Sequence, residues 1–365
     1  MSSTQAGTRP DPGDTSGEDR YRLDELDRFV SELLSGLGMP QPGAQAMAAA
    51  LLDADLSRIQ THGLRLLPAY LARLQAGAIN PTPAVTIERH EGGLSVVDGD
   101  DGFGQVVADR AVEHTLAVAS DCGVAMTFVR RSNHLGALGF PARRGAEEGM
   151  FAFVGQNTRD IVTVPGGVRP GMGNNPFSLA MPSGYPDPMV LDISCGLIAR
   201  NTIYRAAERG EQLPGGGAVD GDGNPTTDPN EAMRGALLAF GGHKGAGLAM
   251  FVGALAGVLS GAKFGPDVPS PTDYATDRNI GHFLLMVDVT KLGEAATAEE
   301  RMRSYIDAVV GSGPDVRYPG QRSGAHRRDA REHGVLIAGY VLDKLDEIAA
   351  EAGLKIQRPS PVSPA

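Results

Sequence analysis

Apolar residues recur at helical spacing from Leu23 to Leu37, and the run stops at Gly36-Leu37-Gly38. Pro42 opens a second helical stretch, Ala44 to Leu56, which leads into Thr61-His62-Gly63. A third, Leu66 to Ala76, ends at Gly77. From Pro83 to Val97 the pattern is that of extended chain, with Gly92-Gly93 as the turn of a hairpin. Gly102-Phe103-Gly104 introduces a helix over Val106 to Asp121, and the strand Gly123 to Val129 follows. Between Phe151 and Asp192 the pattern changes: short apolar runs (Phe151–Val154, Phe177–Met181, Met189–Leu191) are parted by Gly, Pro and Asn. That is a sheet of short strands and not a regular βαβ alternation. Helices return from Leu237, and Arg301–Val310 and Val335–Glu351 read as closing helices, with Pro266–Asp277 as loop. No internal repeat is present.

This pattern places a strand-rich middle between helical ends. The expected fold class is α/β (α+β), with residues 21–84 and 301–357 forming one helical domain and 85–300 the cofactor- and substrate-binding domain. Residues 1–20 and 358–365 read as polar tails. Forty-nine glycines, few aromatics and no tryptophan favour an enzyme with many tight turns over an all-β binding module. The net charge of −11 excludes a nucleic-acid partner, which would require a basic surface. The most apolar stretch, Gly247 to Ser260, is too short for the ~18 residues of a membrane span and reads as a buried helix. Cys122 and Cys195 offer neither a disulfide framework nor a metal motif, and the expected location is cytoplasmic.

The commonest enzyme signatures are missing. Gly102-Phe103-Gly104 and Gly171-Met172-Gly173 both lack the third glycine of a Rossmann fingerprint. There is no P-loop, no H-E-x-x-H and no G-x-S-x-G.

Four clusters can carry chemistry. Thr61-His62-Gly63-Leu64-Arg65 joins a hydroxyl, an imidazole and a guanidinium at a junction between helices; the alternative is a helix-capping Thr with an exposed His. Ser132-Asn133-His134 follows a strand and precedes small residues that open a helix, where backbone N–H groups can hold phosphate; the alternative is a polar turn. Histidine titrates near neutrality, and adjoining glycines let a ligand approach the backbone. Gly166-Gly167 with Gly171-Met172-Gly173-Asn174-Asn175-Pro176 can hydrogen-bond a carboxylate or carboxamide, although hairpin turns explain it equally. Gly241-Gly242-His243-Lys244-Gly245 puts a lysine at the positive end of an apolar helix.

Taken in order, these motifs resemble the malate/L-lactate dehydrogenase family of non-Rossmann NAD(P)-dependent oxidoreductases. The matching pieces are Thr61-His62-Gly63, Asn133-His134-Leu135-Gly136, Pro165-Gly166-Gly167, Gly173-Asn174-Asn175-Pro176, Leu191-Asp192, Asp222 to Pro229, Gly241 to Gly245 and Pro319-Gly320. They span residues 22 to 355. The resemblance implies a dinucleotide lying on a largely antiparallel sheet, a small-molecule substrate and a homodimer whose partner subunit completes the site. It implies His62, held by Thr61, as the proton donor, with His134 as the acid/base in some members. His134, Leu135, Gly136, Asn157, Thr158, Asp192, Gly242, His243, Lys244, Gly320, Arg322 and Arg327 are the implied cofactor contacts, and Asn174, Arg200 and Thr202 fall on the substrate side.

Three positions depart from the family pattern. Leu66 stands where the family places an Arg that binds the substrate carboxylate, with Arg65 one residue early, about 100° round a helix. Asn174 replaces a Thr, and Thr202 replaces an ionisable residue. The expected activity is NAD(P)H-dependent reduction of a 2-oxo acid or cyclic 2-imino acid. Its rivals are altered, non-redox acid–base chemistry on an unusual substrate and a non-catalytic binding protein. Nothing separates NAD from NADP: no acidic residue sits at a recognisable ribose position, and Arg322, Arg327 and Arg328 are candidates for a 2′-phosphate.

Overall fold

The computed structural model describes residues 17–89, 91–213, 215–270, 273–293 and 295–362. Its centre is a seven-stranded sheet in the order Thr86–Arg89, Leu94–Asp98, Val124–Ser132, Ile280–Asp288, Met150–Gln156, Phe177–Met181, Met189–Ile193. Only the pair Leu94–Asp98 and Val124–Ser132 runs parallel, so the sheet is largely antiparallel. The helices Gly104–Cys122 and Gly139–Glu147 cover one face, packing Val107, Ala111, Val112, Leu138 and Ala142 onto Val97, Ala125, Val154 and Met286. A second, five-stranded sheet runs Pro225–Thr226, Ala218–Val219, Ala236–Leu238, Asp160–Thr163, Met172–Gly173. Its core, with Ile203, Leu237, Ala249 and Phe283, fills the other side.

Another core unites the two ends of the chain. Leu26, Phe29, Val30, Leu33 and Leu34 of the helix Leu23–Gly36 pack with Met47 and Leu51 of the helix Gln41–Leu56. Val335, Ile337, Leu342 and Leu345 complete it from the C-terminal side.

Several elements differ from the sequence pattern. Val335–Ala338 is a strand and not the start of a helix, because it pairs antiparallel with Glu18–Tyr21. That strand in turn takes residues 18–20 out of the expected tail, of which 1–16 lie outside the described residues. The expected C-terminal tail is also fastened: Arg358 pairs with Asp343 and Asp346, and Val362 N–H donates to the Arg20 carbonyl; 363–365 lie outside the described residues. The helix Ala295–Val310 contributes nothing to the terminal core; its Arg303 and Asp307 bind Gly184 and Tyr185 instead. Ile280–Asp288, the fourth strand of the large sheet, was hidden in a region read as helical. The helices Arg200–Arg209 and Gln321–His333 were unmarked because their apolar content is low.

The apolar run Gly247–Ser260 is helical but buried on one face only, through Ala249, Val252, Ala256 and Ser260. It continues the helix His243–Gly253 into a π-helical segment, Ala254–Leu259, and exposes Leu248, Met250, Phe251, Val258 and Leu259, with Phe251 74% accessible. Among the described residues no helix is long and apolar enough to cross a membrane.

Candidate active site

The two histidine motifs meet. Ile59 leads into a 3-10 turn, Gln60–His62, and the Gly63 backbone runs so close to the carboxyl group of Asp55 that any Cβ there would collide with it. Asp55, buried in the helix Gln41–Leu56, accepts the Leu64 N–H at 2.9 Å. Burial pushes its carboxyl up to about 8. The loop that carries His62 is thereby pinned to the helix Gln41–Leu56.

His134 arrives at the end of the strand Val124–Ser132. Asn133 fastens the turn by donating to the carbonyls of Asp101 and Gly102. Leu135 N–H donates to Gln156 Oε1 at 3.0 Å, and Gly136 takes a left-handed φ of 85°. The rings of His62 and His134 then stack with centroids 5.7 Å apart and an interplanar angle of 24°.

Each ring is held by one nitrogen. Thr61 Oγ1 lies 3.0 Å from His62 Nδ1. Tyr70 Oη lies 2.7 Å from His134 Nδ1, to which the Gly136 N–H also points at 3.3 Å. Both Nε2 atoms are without hydrogen-bond partners among the described residues. Burial lowers the pKa of His62. It drives His134 down to about 3, with the neighbouring His62, Arg278 and His282 adding to the effect. Both imidazoles are therefore neutral at pH 7, each with a free Nε2 for a reacting group.

The other expected residues fall into three groups. Thr158 and Asn174 are bonded to each other (Oγ1 to Oδ1, 2.8 Å), and Asn175 ties them to the carbonyl of Ala249. Gly242, His243 and Lys244 stand exposed where the helix His243–Gly253 begins. Asp192 accepts the Gly139 N–H at 2.7 Å, capping the helix that follows the His134 turn, and burial raises its carboxyl to about 6.

Several expected contacts look different in place. Arg327 is buried, set between Asp187 at 3.6 Å and Ser57, so it serves as an internal counter-ion and not an open phosphate ligand; Arg322 is exposed and unpaired among the described residues. Arg328 also pairs with Asp187. The Asn157 amide is spent on the Lys263 carbonyl and the Gly281 N–H. Arg200 folds back onto Tyr204, and Thr202 lies on the same helix, Arg200–Arg209, with no contact to the histidine pair. Arg65 is exposed and has no hydrogen bond or ion pair among the described residues, while Leu66 packs on the terminal core. Gly320, with φ 91°, opens the helix Gln321–His333 against Pro188 and Val190.

Two residues at the pair carried no sequence signal. Tyr70 belongs to the apolar stripe of the helix Leu67–Gln75, and Arg278 follows an irregular loop. Only the fold brings Tyr70 against His134 and Arg278 within electrostatic reach of it.

A stacked histidine pair thus stands beside a largely antiparallel, non-Rossmann sheet. Residues 21–346 match the malate/L-lactate dehydrogenase family, and the chain belongs to that family. It is 30% identical over 328 residues to malate/(S)-sulfolactate dehydrogenase of Methanothermus fervidus, covering 90% of this chain and 96% of that one. It is 31% identical to the Δ1-pyrroline-2-carboxylate/Δ1-piperideine-2-carboxylate reductase of Pseudomonas putida, over 92% of this chain and 98% of the relative. The solved sulfolactate dehydrogenase of Methanocaldococcus jannaschii superposes with a TM-score of 0.86 at 28% identity, covering 92% and 98% of the two chains. Membership makes the chain an NAD(P)-dependent oxidoreductase acting on CH–OH or CH–NH groups.

Proposed function

We propose that this protein reduces a 2-oxo acid or cyclic 2-imino acid with NAD(P)H, and that His62 donates the proton. The observation that carries the reading is the stacked pair His62–His134, each ring fixed through Nδ1 and free at Nε2. Fixing the imidazole in one tautomer and one direction is what a general acid requires. Thr61 orients His62, while Tyr70 and the Gly136 N–H orient His134.

The residues present suit a dinucleotide. The Nε2 of Gln156 and the Oδ1 of Asn133, both behind the His134 turn, are buried without partners and match the hydrogen-bonding pattern of a carboxamide. Gly241 and Gly242 have positive φ, and a Cβ at Gly242 would meet nothing within 4 Å, so a phosphate has open access beside exposed His243 and Lys244. When bound, the nicotinamide supplies the hydride. The turn at Leu135 and Gly136, with Thr158, Asn174 and Asp192 around it, is the place we assign to the reacting ends of cofactor and substrate. Arg322 remains the open candidate for a 2′-phosphate.

We further propose a cytoplasmic homodimer, in which residues 21–84 and the part of 301–357 from the helix Gln321–His333 onward act as a helical domain against the rest of the chain. The exposed apolar stripe Leu248, Phe251, Val258 and Leu259 supports a second copy as its cover.

Titration with NADH and NADPH, followed by nicotinamide fluorescence, tests the central reading. Binding of one or both, followed by oxidation of the bound cofactor on adding 2-oxo acids or cyclic imines, is expected. If neither cofactor binds, the reductase reading fails in favour of non-redox chemistry or a binding role.

A further inference from the structure

A 2-oxo or 2-imino acid carries a carboxylate beside the reacting carbon, so the site needs a cation close to the histidine pair. Arg65 is exposed and without partners among the described residues, and Leu66 packs inward on the terminal core. A different arginine lies within electrostatic reach of His134.

Ile280 pairs with Ser132, two residues before His134, and Asn279 Oδ1 accepts the Arg131 N–H at 2.6 Å. Arg278, next in line, is thus carried to the mouth of the turn that presents His134. The helix Leu67–Gln75 fixes the same loop from above. Its Tyr70 binds His134, and one turn later Arg73 donates to the carbonyls of Asp273 (2.5 Å) and Thr276 (2.9 Å). Both terminal nitrogens of Arg73 are taken by those short bonds, although its Nε, like that of Arg278, is buried without a partner; the terminal nitrogens of Arg278 are far less engaged. The Nε of Arg278 is buried with no partner, its one hydrogen bond, to the Ser270 carbonyl, is a long 3.4 Å, and no carboxylate lies within hydrogen-bond distance among the described residues. It is near enough to interact electrostatically with both Tyr70 and His134.

We infer that Arg278 anchors the substrate carboxylate, the half-buried guanidinium gripping it while the adjacent histidines face the carbonyl or imine. This rests on the proposed reading of the pair as the proton-transfer site. A half-buried guanidinium lacking a counter-ion is costly unless an anion completes it, and its planar fork matches a carboxylate in two parallel hydrogen bonds. The negative residues nearest in sequence, Asp273 and Asp277, do not take that place: Asp273 Oδ1 accepts the backbone N–H groups of Ala275 and Thr276, and Asp277 pairs with Lys263.

The test uses oxamate, an unreactive 2-oxo acid analogue, bound to the enzyme–NADH complex and read by nicotinamide fluorescence. Arg278→Ala is expected to weaken oxamate about 10- to 150-fold, the range of a lost charge-assisted bidentate contact, with NADH affinity unchanged. Arg278→Lys should recover part of the loss, and circular dichroism reports whether each variant is folded. In turnover, Arg278→Ala should raise KM for pyruvate by a similar factor and leave KM for methyl pyruvate alone, a split that a merely structural arginine would not produce. Unchanged oxamate binding in folded Arg278→Ala, failure of the wild-type NADH complex to bind oxamate, or equal losses for acid and ester would each overturn the assignment. Loss of NADH affinity in the variant would do so as well, by making Arg278 a cofactor ligand. Failure of the wild-type enzyme to bind NADH or NADPH is a separate result, which removes the reading of the site itself.

Discussion

His62 and His134, seventy-two residues apart in sequence, stack ring on ring with centroids 5.7 Å apart, and each has its Nδ1 engaged by a hydroxyl, from Thr61 and Tyr70 respectively. The hydroxyls divide the labour. Thr61 is a chain neighbour and holds its ring locally, whereas Tyr70 comes from another helix and locks the two motifs into one site.

His62→Ala should lower turnover by about 10²-fold or more, the usual contribution of a general acid, with cofactor affinity within a few-fold of wild type. Tyr70→Phe should be milder, because the Gly136 N–H still reaches His134 Nδ1. Steady-state kinetics on both variants and on His134→Ala decide the roles. If His134→Ala abolishes turnover and His62→Ala does not, the donor is His134.

The pH profile separates the two histidines further. His134, down at about 3, is neutral throughout the working range, and burial also places His62 below its ordinary 6.5. Reduction consumes a proton, so kcat/KM for reduction should fall about tenfold per pH unit above neutrality as the His62 imidazolium is depleted. The slope should vanish in His62→Asn. A flat wild-type profile from pH 6 to 9 would remove His62 as the acid.

Much of this site was legible in the sequence, and the reasons are local. A histidine flanked by a hydroxyl residue and a glycine is a short-range arrangement, so Thr61-His62-Gly63 and Asn133-His134-Leu135-Gly136 declared themselves. Tyr70 and Arg278 act through tertiary contacts, and nothing in their neighbours distinguishes a site tyrosine from a core one. The same limit hid the strands Val335–Ala338 and Ile280–Asp288. Both are apolar runs beside helical patterns, and only their partners, Glu18–Tyr21 and Val124–Ser132, decide for strand. The exposed helix after Lys244 shows the reverse error: apolar composition implied burial, and the chain leaves much of that surface uncovered.

Asp55 gives a stability prediction with a definite sign. Its carboxyl is raised from 3.8 to about 8, so between those values the folded chain holds a proton that the unfolded chain releases. Stability from this group is therefore lost as pH rises towards 8. Asp55→Asn keeps an acceptor for the Leu64 N–H without the charge, and its melting temperature should gain on wild type steadily from pH 5 to pH 8.5. His134 and His282, both down at about 3, act oppositely, costing stability as pH falls below about 6.5. A constant difference between Asp55→Asn and wild type across that range would show that Asp55 is not a buried, protonated acid. Gly63→Ala should destabilise at every pH, since its Cβ meets the Asp55 carboxyl group.

The last prediction concerns the uncovered helix. Leu248, Phe251, Val258 and Leu259 present an apolar surface along His243–Gly253 and its π-helical continuation, with Phe251 the most exposed of the four at 74%. Apolar surface left in water costs about 25 cal/mol per Å², so a second copy of the chain gains by covering it. Phe251→Glu would bury a charge in that contact, a cost large enough to dissociate a dimer of ordinary affinity. Sedimentation velocity at micromolar concentration should show wild type at twice the monomer mass and Phe251→Glu near one. The helix begins at His243 and Lys244, so loss of the dimer should also loosen cofactor binding through the displaced helix start. A monomeric wild type, or a variant still dimeric, would mean that this face is covered by something other than its own copy or by nothing.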